Sequence, residues 1–437
     1  MSKSIKSHEQ CSTLSQWLCY LETIHFKEID LGLTRIKQVA ERLAINFSFA
    51  QVITVAGTNG KGTTCAFLEN ALISEGNNVA VYSSPHIEHF NERLRINQID
   101  IDDESIITAF KQIEVARGDI SLSYYEYTTL AAFLVLMVKK PQIIILEVGL
   151  GGRLDATNII DTNLAIITTI DIDHVSFLGN NRESIGTEKA GIMRTNTAAV
   201  IGDCHPPKSV IDHSKKINAN TYSRNIDFTV SFNSKNKNKN IEQHSTWCFH
   251  QQDSHFTELN YPYIPVDNVA TALMALQLLE ITLTSKKINT WISATKVVGR
   301  MELFPRKSSS KSFNCDVILD VAHNPQAARH LATQLSHYPY SKVHAVVAMM
   351  ADKDIVAALV PLTEMIDQWY IGDLTIERAA KSNVVANELS QLNQTYLCFD
   401  NIKDAFNMAC EQSKADELVL VFGSFFTVAA IRPLLVS

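Results

Sequence analysis

Residues 52–64, Val-Ile-Thr-Val-Ala-Gly-Thr-Asn-Gly-Lys-Gly-Thr-Thr, constrain this chain more than any other stretch. An apolar, β-branched run gives way abruptly to glycines, a lysine and threonines, the pattern of a strand, a tight loop and a helix start. Gly57, Gly60 and Gly62 let main-chain N–H groups converge on an anion without Cβ interference. Lys61 adds a point charge, and the helix behind it offers its positive N-terminus. A nucleoside triphosphate fits such a loop, and the alternative reading is an ordinary glycine-rich strand-to-helix turn.

The spacing departs from the Walker pattern G-x-x-x-x-G-K-[ST]. Val55 stands where the first glycine belongs, and Gly62 stands where the metal-binding hydroxyl normally follows the lysine. A hydroxyl for Mg²⁺ must then be sought elsewhere. Ser83-Ser-Pro-His86 follows a short strand expected at 78–82, at the strand end where open α/β sheets bind ligands. Ser84 is a candidate for that hydroxyl, or it merely opens a turn before Pro85.

Residues 142–147, Gln-Ile-Ile-Ile-Leu-Glu, read as a buried parallel strand ending in a carboxylate, the position from which a P-loop enzyme holds its metal. Glu147 is therefore the leading metal candidate. A glycine-rich loop with Arg153 and Asp155 follows it. A strand at 164–170 runs into Asp171-Ile-Asp-His174, and Lys189 sits beside small residues in a polar helix or loop at 182–192. A histidine at a strand end is more often a satisfied structural group than a ligand, so His174 draws its interest from these neighbours.

Periodicity places helices at 14–24 and 33–43, one from Lys61 closed by Gly76, and others at 102–115, 128–140 and near 209–217. A further helix spans 267–279, with Asp267 as N-cap and Asn268 at its entrance. Residues 121–127 precede the 128–140 helix, and their three tyrosines around Glu126 either line a pocket for a flat ring or belong to the core. The Lys/Asn run at 235–240 reads as a solvated loop or hairpin tip rather than a nucleic-acid patch. A boundary falls near 285–311, beyond which strands at 316–321, 343–348, 367–371, 395–399 and 418–422 alternate with helices. The expected fold class is α/β: a P-loop-type, mostly parallel sheet domain over 1–298, then a smaller Rossmann-like domain over 299–437 that completes the site.

A formal charge of -7 over 437 residues gives no general attraction for nucleic acid or an anionic membrane, so an anionic substrate must be met by local positive groups. The eight cysteines are scattered without zinc spacing and suit reduced thiols in a cytoplasmic protein. The N-terminus lacks the apolar core of a signal peptide, and the longest apolar run, 130–138, is too short to cross a bilayer. Small-molecule chemistry is the expectation.

Together, Gly57-Thr-Asn-Gly-Lys-Gly-Thr63, Ser83-Ser-Pro-His86, the block from Leu146 through Glu147 to Asn158, Glu188-Lys-Ala-Gly191 and Asp320-Val-Ala-His-Asn-Pro325 resemble the bifunctional dihydrofolate synthase/folylpolyglutamate synthase family of the Mur ligase superfamily. The phosphate loop is common to Mur-type ligases, whereas the 147–158 and 320–325 blocks are specific to the folate branch. The resemblance implies an ATP-dependent ligase, acting as a monomer, that joins L-glutamate to dihydropteroate and to reduced folates through an acyl phosphate.

It further implies ATP on Gly57, Thr58, Asn59, Gly60, Lys61, Gly62 and Thr63, with adenosine contacts from Asn268, Arg300 and Asp320. Two Mg²⁺ sites would use Ser84, Glu147, His174 and a carbamylated Lys189, the catalytic set being Lys61, Glu147, His174 and Lys189. The pteroate side would be met by Thr23, Ile24, His25 and Phe26, by Ser123, Tyr124, Tyr125 and Glu126, and by Arg153, Leu154 and Asp155. His323 would handle glutamate or nucleotide. Val298 and Met301 replace the proline and phenylalanine that flank the family's Gly-Arg pair, Phe426 replaces a histidine, and Val175-Ser176 follow His174 in place of Thr-Asp.

Two rivals make different demands. Peptidoglycan Mur ligases with a separate N-terminal UDP-sugar domain need about a hundred residues before the loop, the size of a domain, and here the loop starts at Gly57. A P-loop switch would have no use for a second metal cluster at His174 and Lys189.

Overall fold

The strand leading into the glycine loop, β1 (Gln51–Ala56), is buried along all but its first residue, because it has a neighbour on each side and helices on both faces. The computed structural model describes residues 8–25, 30–233, 246–252, 254–306 and 313–436. Phe26 and the expected loops at 235–240 and 307–311 lie outside them.

β1 belongs to a sheet with β2 (Val79–Tyr82), β3 (Leu94–Ile96), β4 (Ile99–Asp100), β5 (Ile143–Glu147), β6 (Leu164–Ile167), β7 (Ala198–Ile201) and β8 (Asn220–Ser223), in the order β4-β3-β2-β5-β1-β6-β7-β8. The six strands from β2 to β8 in this order run parallel, and β3 and β4 add an antiparallel edge. Alternation along β1 divides its side chains: Val52 joins the helices Leu14–Leu21, Thr34–Arg42, Asp103–Arg117 and Tyr124–Lys139 on one face. Ile53 and Val55 join the helices Lys61–Ser74, Val266–Leu278 and Ser285–Ala294 on the other.

β9 (Phe228–Asn233), β10 (Thr246–Gln251) and β11 (Ser254–Leu259) form a separate antiparallel sheet, whose Trp247, Phe249 and Leu259 cover that second face. The last sheet contains β12 (Glu302–Phe304), β13 (Asp316–Leu319), β14 (Val343–Val347), β15 (Gln368–Gly372), β16 (Tyr396–Phe399) and β17 (Leu418–Phe422), ordered β12-β13-β17-β14-β15-β16. All its pairings are parallel except β12 with β13. Among the described residues, no helix is long and apolar enough to cross a membrane.

Several sequence expectations are corrected. The helix expected at 128–140 starts at Tyr124, because Ser123 and Glu126 form a reciprocal capping box in which each side chain accepts a main-chain N–H of the other residue. Asp267 is not an N-cap: that place is taken by Pro265, and Asp267 lies in the first turn with its carboxylate 3.1 Å from the Arg224 guanidinium. β6 ends at Ile167, since Thr168 and Thr169 turn their hydroxyls to the Asn59 carbonyl, at 2.7 and 3.2 Å. The second sheet is mixed because β12 returns antiparallel, and β3, β4, β8 and the β9-β10-β11 sheet went unread.

Candidate active site

The glycine loop is built by close approach. A Cβ at Gly57 would lie 1.8 Å from the Thr168 hydroxyl, and one at Gly60 would lie 2.5 Å from the Asn268 side chain. Gly60 caps the helix Lys61–Ser74 with φ +88°, a left-handed conformation that glycine adopts without a Cβ penalty. Asn268 lies across this turn and donates to the Thr63 hydroxyl at 2.8 Å, while Thr58 N–H is held by Thr169 O at 2.7 Å. Lys61 folds back so that its ammonium donates to Gly57 O at 3.0 Å. Asn268 thus braces the phosphate loop.

Glu147 ends β5 beside this loop, and both its oxygens lie 3.7 Å from where a Cβ at Gly62 would be. That is ordinary van der Waals distance, so position 62 faces the carboxylate directly. Burial raises the Glu147 pKa, and Lys61, Arg300, Arg95 and the Ser84 N–H oppose the rise. Among the described residues no side chain donates a hydrogen bond to it, so its oxygens form a buried acceptor pair beside the Ser84 main chain. The donor set suits a hard divalent ion.

Lys189 is 3 % exposed near the end of the helix Arg182–Ala190. Burial, and then the Lys61 charge, lower its pKa to about 7. His174, also lowered to about 4 by burial, is a neutral imidazole at neutral pH and is free of the proton that would block metal binding. Its neighbour Asp173 is opposed by burial. The His323 hydrogen bond and Lys353 outweigh that opposition and hold its carboxyl far below the usual range. Lys353 Nζ lies 2.6 Å from Asp173, and His323 Nε2 lies 3.6 Å from it.

These contacts join the two large sheets. Asn59, at the loop tip, donates to Asn324 Oδ1 at 3.1 Å and to Gln326 Oε1 at 2.5 Å, and Asn324 donates back at 2.9 Å. Thr169 also donates to Gln326 at 3.1 Å. Arg300 stands 5.7 Å over the Phe425 ring. Asp320 accepts from Met301 N and Ala322 N at 2.9 and 2.8 Å, so both carboxylate oxygens already hold main chain.

The pteroate candidates divide into contacts and supports. Tyr125 is buried against Gly149, where a Cβ would meet its ring at 2.6 Å, and its hydroxyl lies next to Ser84. Tyr124, whose pKa burial pushes up to about 12, carries the Arg93 guanidinium 5.7 Å from its ring centre. Glu126 is a support: besides capping Ser123 it receives Arg35 at 3.1 Å, and Arg35 also binds Asp30. His25 Nδ1 lies 2.7 Å from the Ser121 hydroxyl, and Thr23 donates to Tyr20 O, so residues 23–25 are tied to the same wall with Ile24 half-buried between them.

Asp155 organises the glycine loop by accepting from Leu150 N, Thr157 N and the Thr157 hydroxyl at 2.9, 3.0 and 2.7 Å. Arg153 pairs with Glu188 at 2.8 Å beside the half-buried Leu154. Sequence reasoning missed Lys353, Gln326 and the part played by Asp173. Lys353 had one available signal, its place shortly after the carboxyl end of β14.

A phosphate loop on a parallel sheet, closed from above by a second α/β sheet, defines a nucleotide-dependent ligase of the Mur type. Residues 55–279 match the Mur ligase middle domain, and residues 299–425 match the Mur ligase glutamate ligase domain. The chain is 38% identical to a dihydrofolate synthase/folylpolyglutamate synthase of Escherichia coli (strain K12) over 427 residues, 98% of this chain and 96% of that protein. It is 39% identical to the protein of that name from Haemophilus influenzae, covering 96% of each. Among solved structures, Escherichia coli FolC in complex with DHPP and ADP superposes with a TM-score of 0.88 at 39% identity, covering 97% of each chain. A Yersinia pestis folylpolyglutamate synthase/dihydrofolate synthase complexed with AMPPNP and Mn gives 0.86 at 41%, covering 97% of this chain and 98% of that one. The chain belongs to the dihydrofolate synthase/folylpolyglutamate synthase family and is an ATP-dependent ligase.

Proposed function

We propose that this chain joins L-glutamate to dihydropteroate, giving dihydrofolate, and to reduced folates, giving folylpolyglutamates, with release of ADP and phosphate. The observation that carries the reading is the buried Glu147 beside the Lys61 loop, with the Lys61 charge also reaching the buried Lys189, under a loop tip hydrogen-bonded to the second domain. The working division is 1–298 for phosphate and pteroate and 299–437 for completing the nucleotide and glutamate sites. A monomer in the cytoplasm is the working expectation, and the free cysteines suit that compartment.

Residues 57–63 cradle the phosphates, and Lys61 leaves the Gly57 carbonyl to meet the transferring phosphoryl group. The substrate carboxylate attacks that group, forming an acyl phosphate, and the glutamate amine then displaces phosphate. Tyr124, Tyr125 and residues 23–25 offer the ring-binding wall, with Arg153 and Leu154 at its rim and Asp155 holding the loop behind them. Arg300, Asp320 and Asn268 place the nucleoside, Asp320 by holding the main chain at Met301 rather than by a free oxygen. Lys353, paired with Asp173, brings positive charge to the glutamate side, and the His323 imidazole lies beside the same carboxylate.

Ser84 and Glu147 would hold one Mg²⁺, and Glu147, His174 and carbamylated Lys189 a second, each ion supplying neutralisation of phosphate charge when bound. The carbamate rests on the amine: with a pKa of about 7 much of Lys189 is neutral at physiological pH, and the neutral amine can add CO₂ and release a proton to solvent, giving an anionic oxygen donor in place of a repelling ammonium.

ADP release with glutamate plus dihydropteroate, a reduced folate, or a UDP-muramyl acceptor tests the reading. Turnover with the first two and none with the third is expected. Turnover with the reduced folate alone would remove the dihydropteroate activity, and turnover only with the muramyl acceptor would overturn the whole assignment.

A further inference from the structure

Away from the glycine loop, the Arg432 guanidinium bridges both halves of the molecule. Arg432 ends the helix Phe425–Ile431, and its Nε donates to both oxygens of Glu302 at 3.0 and 3.1 Å. Its Nη1 donates to Glu88 of the first half at 2.5 Å. All three side chains are four-fifths buried or slightly more, so the partners are held largely out of water.

Each carboxylate is anchored to a loop that carries a proposed site residue. Glu302 also accepts the Gly299 N–H at 2.8 Å, while Gly299 O receives Val321 N and Asp320 receives Met301 N. Arg300 therefore projects from a turn clamped on both sides. Glu88 lies four residues after Ser84, and its own N–H and those of Ile87 and His89 are all accepted by Glu92 at 2.6 to 2.8 Å. The same junction is tightly packed: a Cβ on Gly299 would meet Ile87, Val321 and Val428 at 3.0 to 3.3 Å. Phe425, which stacks beneath Arg300, begins the helix that Arg432 ends.

We propose that Arg432 is a positioning residue that sets the spacing between the Ser84 loop and the Arg300 turn, and through it the affinity of the closed site for nucleotide. Arg432 and Glu88 lie outside the set of proposed substrate and nucleotide residues, and the pair acts through the loops it joins. The fork geometry matters, because two carboxylates approach from different sides and an ammonium on a flexible stem cannot hold both in register. This inference rests on the proposed nucleotide role of Arg300.

The test measures KM for ATP, kcat and thermal midpoint in Arg432→Gln, Arg432→Lys and Glu88→Gln, with ADP and Mg²⁺ titrated directly into each protein and into Arg300→Ala. A five- to tenfold rise in KM for ATP and weaker ADP binding are expected in all three clasp variants, with kcat at saturating ATP within about twofold. Glu88→Gln leaves the Arg432–Glu302 pair in place and turns the charged contact with the first half into a neutral one, so it answers the question even if the Arg432 variants fold poorly. Unchanged ADP binding in Glu88→Gln, with clear weakening in Arg300→Ala, would overturn the clasp and leave the nucleotide site standing. Unchanged binding in Arg300→Ala would remove the nucleotide assignment and the clasp with it. A loss of kcat and thermal midpoint together, with KM for ATP constant, would reduce Arg432 to a packing role.

Discussion

Lys61 and Lys189 show how one residue type takes two roles through its surroundings. Lys61 is half-buried in a loop of main-chain donors, and its ammonium rests on a carbonyl that a phosphate would replace. Removing it in Lys61→Ala should lower kcat by about 10²- to 10³-fold, the scale for one lost charge-stabilising contact, with the thermal midpoint unchanged; steady-state ADP release measures this. Lys189 is fully enclosed, and its lowered pKa has a stability consequence. From about pH 7 up to the unfolded value of 10.5 the unfolded chain holds the extra proton, so stability rises with pH across that window, and the full penalty is present below it. In metal-free, CO₂-free buffer, the urea midpoint of the wild type should climb over this range while that of Lys189→Met climbs less. Equal slopes would show that the amine is not buried as described. Lys189→Ala should lose most turnover and regain part of it with added short carboxylic acids, as a missing carbamate would.

At the scale of an element, the helix Tyr124–Lys139 links fold to substrate wall. Its first turn carries Tyr124 and Tyr125, and its start is set by Ser123 and Glu126, with Arg35 and Asp30 behind them. Ser123→Ala should cost about 1 kcal/mol in urea unfolding, the usual magnitude for a lost N-cap, and raise KM for the pteroate substrate while KM for ATP stays constant. A matched rise in both would place the effect on the whole sheet instead. The loop element behaves oppositely. Gly60→Ala puts a Cβ in a left-handed turn against Asn268, so nucleotide binding should fall sharply, as read by titration with ADP.

At the scale of the molecule, the proposed nucleotide site draws on residues far apart in sequence. Asn59 meets Asn324 and Gln326, Asp173 meets Lys353, and Arg300 enters from the turn after the boundary. Arg300→Ala should weaken ADP binding about tenfold, about 1.4 kcal/mol, although Arg300 is remote from the loop in the chain. Equal affinity would confine the second half to glutamate.

The chain's local patterns were enough to place the phosphate loop, the Glu147 strand end, the second run of strands after residue 300 and the family. Each rests on period, glycine or a carboxylate at a strand end, and these signals are carried by neighbouring residues. The start of the helix at Tyr124 is also written locally, in Ser123 and Glu126, a capping box that encloses the tyrosines read as either pocket or core. Other features had no local signature. Asp155 and Glu126 look like substrate ligands in sequence, yet their oxygens hold Leu150, Thr157, Ser123 and Arg35. Lys353 looks like one lysine in a polar turn. Their roles follow from which groups are brought within hydrogen-bond reach and shielded from water, and only the packing of one sheet over another decides that.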